Sequence, residues 1–450
     1  MGAEAGSGGM ADQKPAPAPR WTDRQDVDRL SAKLAPRPTC LEETGLSQLF
    51  LADLIAKHLS VAGVLDTVTL SRRLGLPGTI VETVLSFMRT EGLAELRATR
   101  DDSLSLRFGL TDRGRAAAND ALQRDGYVGA APVPLDTYND LIRQQSGSGG
   151  AVTRQQVHGA FRDTVIGPDL LDRLGPAMSS GRSLFIYGHP GTGKSFITRR
   201  LTRLLGPPVL LPHAVIVSDS VITCFDATVH RPVGPPRAET SALFSEGFDA
   251  RFVLCERPFV SCGGELTIDM LDLQYDASTR RYVAPLQMRA NTGMLLIDDL
   301  GRQRVAPVDL FNRWIVPLEE RRDQLALNTG QHFSIPFDLV LVFSTNLDPH
   351  ALADEAFLRR IGYKIHFETS SPEEYAAIWA QVCQQNAIED DGSLIAHLLD
   401  DLYPESRTPR LACHPRDLIG LAMDYMRYTG EAGLSSEIID WAWNNYFVEI

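Results

Sequence analysis

Two short stretches carry the residue types that could do chemistry together, although Lys194 and Asp298 within them stand 104 positions apart. The first is Gly188-His189-Pro190-Gly191-Thr192-Gly193-Lys194-Ser195, which fits G-x-x-x-x-G-K-[ST]. Glycines let backbone N–H groups turn inward around a phosphate, and a helix following the loop adds the positive end of its dipole. Lys194 would reach the β- and γ-phosphates of a nucleotide, and the Ser195 hydroxyl would coordinate Mg2+. The second stretch is Asp298-Asp299, closing the apolar run MLLI. Adjacent carboxylates at such a place are costly unless a metal or a water uses them. Asp298 would hold Mg2+ through water, and Asp299 would polarise an attacking water.

The elements that must position these residues are legible around them. SLFIY before the glycine loop reads as a buried strand, and FITRRLTRLLG after it continues as a helix. From Ser183 the chain alternates buried strands and helices, the pattern of a parallel α/β sheet, and after about Ser371 it turns helical to its end. A minimal helix–strand–helix passage between the two stretches needs only about 50 residues. The surplus, about 206–292, reads as a β-rich insertion with one hairpin around Ser218-Asp219-Ser220 and another around Asp276–Thr279. Upstream, residues 1–40 are rich in Ala, Gly and Pro and read as a disordered tail. Residues 41–130 give helix, helix-turn-helix and hairpin in turn, and 131–154 read as a Pro/Gly/Ser-bearing linker.

From about residue 155 to 450 the chain resembles the AAA+ ATPases. That resemblance implies ATP and Mg2+ as cofactors and hydrolysis of ATP as the activity. It makes Asn346, at the end of LVLVFSTNLDP, similar to the sensor-1 residue that orients the lytic water. It places Arg359 and Arg360 where the family presents an arginine finger to a neighbouring subunit, without choosing between them. Arg416, which opens a helix in CHPRDLIGLAMDYM, is similar to the sensor-2 arginine of the helical lid, with Arg410 its competitor. Where many members have Asp-Glu, this chain has Asp298-Asp299, as helicase-loader and replication-initiator relatives do. APLQMRANTGMLLIDDLG resembles the corresponding stretch of helix-2-insert members such as the MoxR type, although the GAFTGA loop of the transcriptional activators is missing. GGELTIDMLDL and the second hairpin are then expected to line a pore or contact face. Residues 45–130 resemble a winged helix.

The expected fold is therefore α/β: a P-loop parallel sheet with a β-hairpin insertion (core 155–371) and a C-terminal helical lid (372–450), preceded by a small winged-helix α+β domain. A net charge of −13 argues against a wholesale grip on nucleic acid or an anionic membrane. No run of 18 uncharged apolar residues occurs, so no membrane span is expected. Six cysteines without a C-x-x-C pair exclude a zinc ribbon and fit a reducing cytoplasm. Residues 45–125 hold ten Lys/Arg and ten Asp/Glu, poor support for a phosphate-binding face. The leading expectation is a ring-forming homo-oligomer, in the family usually a hexamer, that uses ATP to remodel an unknown protein client. Its rivals are a DNA-associated ATPase and a scaffold that binds ATP as a switch.

Overall fold

The computed structural model describes residues 24–97, 106–146, 152–233, 247–390 and 392–447. At its centre lie β1 (Leu184–Gly188), β2 (Phe259–Cys262), β3 (Met294–Ile297), β4 (Val340–Thr345) and β5 (Tyr363–Phe367). All pair in parallel, in the order β2-β3-β4-β1-β5. Strands covered on both faces read as continuous apolar runs, which is why MLLI and VLVF carry no polar residue. Helices α1 (Pro168–Ser180) and α2 (Lys194–Leu201) cover one face, where Leu174, Ile197 and Leu201 meet Ile186, Leu296 and Val342. On the other, α3 (Pro307–Glu320) and α4 (Glu355–Arg360) bring Phe311, Trp314 and Phe357 onto Phe185, Ile297 and Phe343. The chain is an α/β protein built on a five-stranded parallel sheet, and the loops after β1, β3 and β4 share its carboxyl edge.

Three helices dominate the C-terminal region: α5 (Pro372–Gln385), α6 (His414–Thr429) and α7 (Ser436–Tyr446). Ser371 and Glu374 form a reciprocal capping box and Pro372 opens the first turn, so the sequence itself marks where α5 starts. Tyr375, Trp379, Leu418, Ile439 and Trp443 fill their shared core. At the head of α6, buried His414 hydrogen-bonds the Tyr403 hydroxyl at 2.7 Å, and burial lowers its pKa to about 4.

Both hairpins expected in the insertion are present, as Ala214–Val217 with Ser220–Thr223 and Gln274–Asp276 with Arg281–Val283. Tyr282 and Val283 pair with Ile222 and Thr223, joining the hairpins into one sheet. Two elements outside 206–292 complete this layer: Val133–Pro134 pairs with Val215 and Ile216, and a hairpin of Arg322–Ala326 with His332–Pro336 shares its core. Residues 131–154 are therefore not a simple linker. Helix Leu135–Gln144 buries Tyr138, Leu141 and Ile142 in that core, and the Gln145 amide exchanges two hydrogen bonds with the Leu210 backbone. Its apolar stripe spans little more than one turn between polar neighbours, too short to stand out in the sequence. The tail needs the same correction. Helix Arg24–Leu34 leads to buried Ala35, whose carbonyl accepts from the Asp249 amide, while residues 1–23 lie outside the described set. Within GGELTIDMLDL, Leu266 and Leu271 are fully buried beside α3, while Gly264, Glu265, Asp269 and Asp272 stay exposed.

Upstream, helices Gln48–Ala62, Thr67–Leu74 and Gly78–Thr90 surround one core with an antiparallel sheet ordered Val64–Asp66, Arg107–Leu110, Ala94–Arg97. Ser47 and Asp66 cap the first two helices through Phe50 N and Thr69 N. The hairpin tip at Asp101–Asp102 lies outside the described residues. This module is seated on the insertion through Arg251. Its guanidinium pairs with Asp249 (2.8 Å, both side chains 3% exposed) and donates to the carbonyls of Thr44 and Pro132. Removing one partner of such a pair leaves an uncompensated buried charge. Arg251→Ala is thus expected to cost about 3–5 kcal/mol in chemical denaturation; a loss below about 1 kcal/mol would show that the junction does not depend on the pair.

Candidate functional site

The glycine loop leaves β1 at Gly188, whose φ of +144° and 2.2 Å approach of a hypothetical Cβ to Phe367 O leave no room for a side chain. Gly191 (φ +80°) and Gly193 (φ +87°) complete the bend, and Gly193 accepts from the Ile197 amide as α2 begins. Thr192 ties the loop to itself through the His189 carbonyl at 2.8 Å. Lys194 is 6% exposed, and its Nζ donates to the carbonyls of Gly188 (2.9 Å) and His189 (2.7 Å). Burial pulls its pKa below the ordinary lysine value, and the nearby charges of Asp298 and Asp299 oppose that pull. Ser195, half-buried, follows it in the first turn of α2.

Asp298 leaves β3 with its amide on the Cys262 carbonyl, and its Oδ1 accepts from the Asp299 amide at 3.1 Å. Asp299 sits at φ +50°, a left-handed turn that Asp tolerates better than most residues. The turn exposes its carboxylate, and Asn346 Nδ2, at the end of β4, donates to Asp299 Oδ1 at 3.2 Å. Lys194, Asp298, Asp299 and Asn346 thus come from three different loops to one edge of the sheet.

The three arginines do not join them within one chain. Arg360 is held by Glu319 on α3 (Nε–Oε1 2.6 Å) and by the Ala356 carbonyl. Arg359, its exposed neighbour, makes no ion pair among the described residues. Asp354 and Glu355 pair with neither, and Asp354 instead caps α4 through the Phe357 amide. Arg416 is exposed and places Nε and Nη2 on Asp417 Oδ1, which leaves it near the start of α6. Arg410 reaches the Ser370 carbonyl at 3.4 Å.

Two contributions were not singled out in the sequence. The Cys413 amide donates to the Gly191 carbonyl at 3.1 Å, and a Cβ on Gly191 would lie 2.6 Å from Cys413 Sγ. The C-terminal helical region therefore touches the glycine loop itself. The other is Asp163–Gly167, just before α1. Asp163 pairs with Arg200 and Arg203 around the end of α2, while its carbonyl accepts from Gln381 on α5. The hydrogen bond from Arg203 keeps its carboxyl below the usual range. The strap links the helix that carries Lys194 to the terminal helices. The apolar-then-glycine step Val165-Ile166-Gly167 ahead of Pro168 was its visible signal.

Fold and site define an α/β protein whose parallel sheet presents, at its carboxyl edge, a glycine-rich loop with a buried lysine facing two carboxylates. A family described as a domain of unknown function, DUF8689, matches residues 371–445, the terminal helices. No curated protein matches the sequence. Among solved structures the chain is similar to NtrX from Brucella abortus (11% identity, 66% of this chain and 56% of that one, TM-score 0.36). It is also similar to the Thermotoga maritima RuvB Holliday junction branch migration motor (13% identity, 65% and 68%, TM-score 0.34). Domain III of the T. maritima replication initiation protein DnaA is a third (13% identity, 64% and 97%, TM-score 0.35). The chain spans little more than half of NtrX, and likenesses at this distance leave activity to be argued from the site. Among the described residues no helix is long and apolar enough to cross a membrane.

Gly191→Ala places its methyl against Cys413 at a backbone angle that disfavours any side chain. It is expected to break the bond from the Cys413 amide and raise that amide's hydrogen exchange about tenfold or more; unchanged exchange would mean that the loop and the terminal helices are not coupled there.

Proposed function

We propose that this chain is an AAA+ ATPase that binds ATP with Mg2+ and uses movement of its terminal helices to remodel a protein partner. The observation that carries the reading is that β1 and β3, flanking β4, bring the glycine loop with its buried Lys194 and the Asp298-Asp299 pair to one edge of the sheet. A buried ammonium resting on two loop carbonyls is poised to exchange them for phosphate oxygens. The backbone amides at the start of α2 supply the other donors. Oxygen donors suit a hard cation, and Ser195 and Asp298 are the residues that would hold Mg2+. Among the described residues no cluster of three or more His, Cys, Asp or Glu gathers to bind a metal by itself, so phosphate oxygens would complete the shell. Bound there, Mg2+ would neutralise charge on the phosphates.

The protein's own residues supply the remaining roles. Asp299 is the exposed carboxylate and polarises the attacking water, and Asn346 fixes its orientation through the 3.2 Å hydrogen bond. Arg359 is assigned as the finger that reaches a neighbouring subunit's nucleotide, because Arg360 is already committed to Glu319 and the Ala356 carbonyl. That assignment implies a ring of copies, since an arginine acting in trans needs an adjacent site. Arg416 would exchange Asp417 for a phosphate as the lid closes. The contact of Cys413 with Gly191 then carries the state of the loop into α6.

Residues 41–130 are read as a winged helix that contacts protein rather than DNA. Four of its arginines are answered locally, as Arg97–Glu95, Arg113–Glu91, Arg115–Asp112 and Arg124–Asp53. That pairing leaves little net positive field for phosphates.

Asp299→Asn should keep ATP affinity and lose at least about 100-fold in steady-state turnover. Wild-type turnover by that variant would remove Asp299 from the role. Arg359→Ala should lose about 1,000-fold or more, as an arginine finger does, and recover activity when mixed with Lys194→Ala subunits that donate an intact finger. Equal losses for Arg359→Ala and Arg360→Ala, without recovery on mixing, would contradict the assignment in trans.

A further inference from the structure

The residues that end β4 spend their polar groups unequally. Thr345 donates its hydroxyl to the Leu300 carbonyl at 2.8 Å, and Asn346 donates to Asp299. Ser344, one residue earlier, uses its carbonyl to accept from the Leu300 amide at 2.8 Å. Its side-chain oxygen, in a residue 1% exposed, has no hydrogen-bond partner among the described residues. An unsatisfied buried hydroxyl opposes folding, and alanine would fill the same place without that cost.

Where the hydroxyl sits suggests what it is for. Side chains alternate along β4, so Ser344 shares a face with Val340 and Val342, the face covered by α2. Phe343 and Leu341 turn to the opposite core. The register pairs Ile297 of β3 with Phe343 and Ile186 of β1 with Ser344. One step beyond the first pair sets Asp298 beside Ser344, on the same face as Leu296. Ser344 therefore lies between the strand that delivers the glycine loop and the carboxylate that would hold Mg2+, beneath the helix that begins with Lys194 and Ser195. Trp314 Nε1 also has no hydrogen-bond partner among the described residues, yet it is enclosed by Phe343 and the other side chains of the opposite core.

We propose that Ser344 is a positioning residue whose hydroxyl donates to the Asp298 carboxylate when Mg2+ and nucleotide are bound. Outer hydrogen bonds of this kind orient a metal's ligands and raise metal affinity. Before binding, the hydroxyl is left unsatisfied and weakens the fold; on binding, it fixes which way the carboxylate faces. The proposal rests on the ATP- and Mg2+-binding reading above, and it adds a residue for which neither glycine-loop nor acidic-strand chemistry calls.

The test is thermal unfolding of the intact chain and of Ser344→Ala, first without ligand, then with saturating ATP across a MgCl2 titration. Without ligand the variant should melt at the same temperature as the wild type or slightly above it. With ATP, the MgCl2 concentration that gives half of the ligand-induced shift should rise about tenfold. A variant that melts clearly lower without ligand would show the hydroxyl to be structural and overturn the proposal, as would an unchanged magnesium midpoint. Should the wild type show no magnesium-dependent shift with ATP, the reading of the site itself fails; a wild-type shift that Ser344→Ala shares overturns only the role of Ser344.

Discussion

A buried ammonium group must be paired or hydrogen-bonded, or it gives up its proton. Lys194 meets that requirement. It is withdrawn from water at the head of α2 and supported by two loop carbonyls; burial lowers its pKa, and the two carboxylates that follow β3 oppose that shift. Much of the rest follows from bringing those charges together. The parallel order β2-β3-β4-β1-β5 puts β4 between the loop and the carboxylates, so that the ends of three strands open on one edge. Two cores, one mostly aliphatic under α1 and α2 and one richer in aromatic rings under α3 and α4, hold that edge in register.

The site is also tied to parts of the chain far from it in sequence. Cys413 binds the loop at Gly191, and Asp163 links the end of α2 to α5, so the terminal helices are joined to the loop and its helix through two separate contacts. On another side the N-terminal module is fastened to the insertion by Arg251 and Asp249 rather than left on a tether. The terminal helices are thus joined to the loop and to its helix, while the N-terminal module and the insertion share a buried, charged junction.

What could be read from the sequence, and what could not, divides by range. Strands β1, β3 and β4, the glycine loop, the acidic pair and both insertion hairpins were legible because each is a local pattern: an apolar run, a glycine spacing, a turn between β-type residues; β2 and β5, short and mixed with polar residues, were not singled out. The packed helix Leu135–Gln144, the seating of Arg251 on the carbonyls of Thr44 and Pro132 and the cover that Cys413 gives Gly191 were not. Each depends on partners 65 or more positions away or on a stripe too short to show periodicity. Spacing alone likewise could not separate Arg359 from Arg360. It was Glu319, 41 positions upstream, that occupied one of them.

Calorimetric titration of ATP into the intact, folded chain, with and without MgCl2, addresses the central claim most directly. The account requires saturable heat with magnesium, at one nucleotide per chain at most, that disappears in a folded Lys194→Ala variant. Absence of heat for the folded wild-type chain in the presence of magnesium would contradict it.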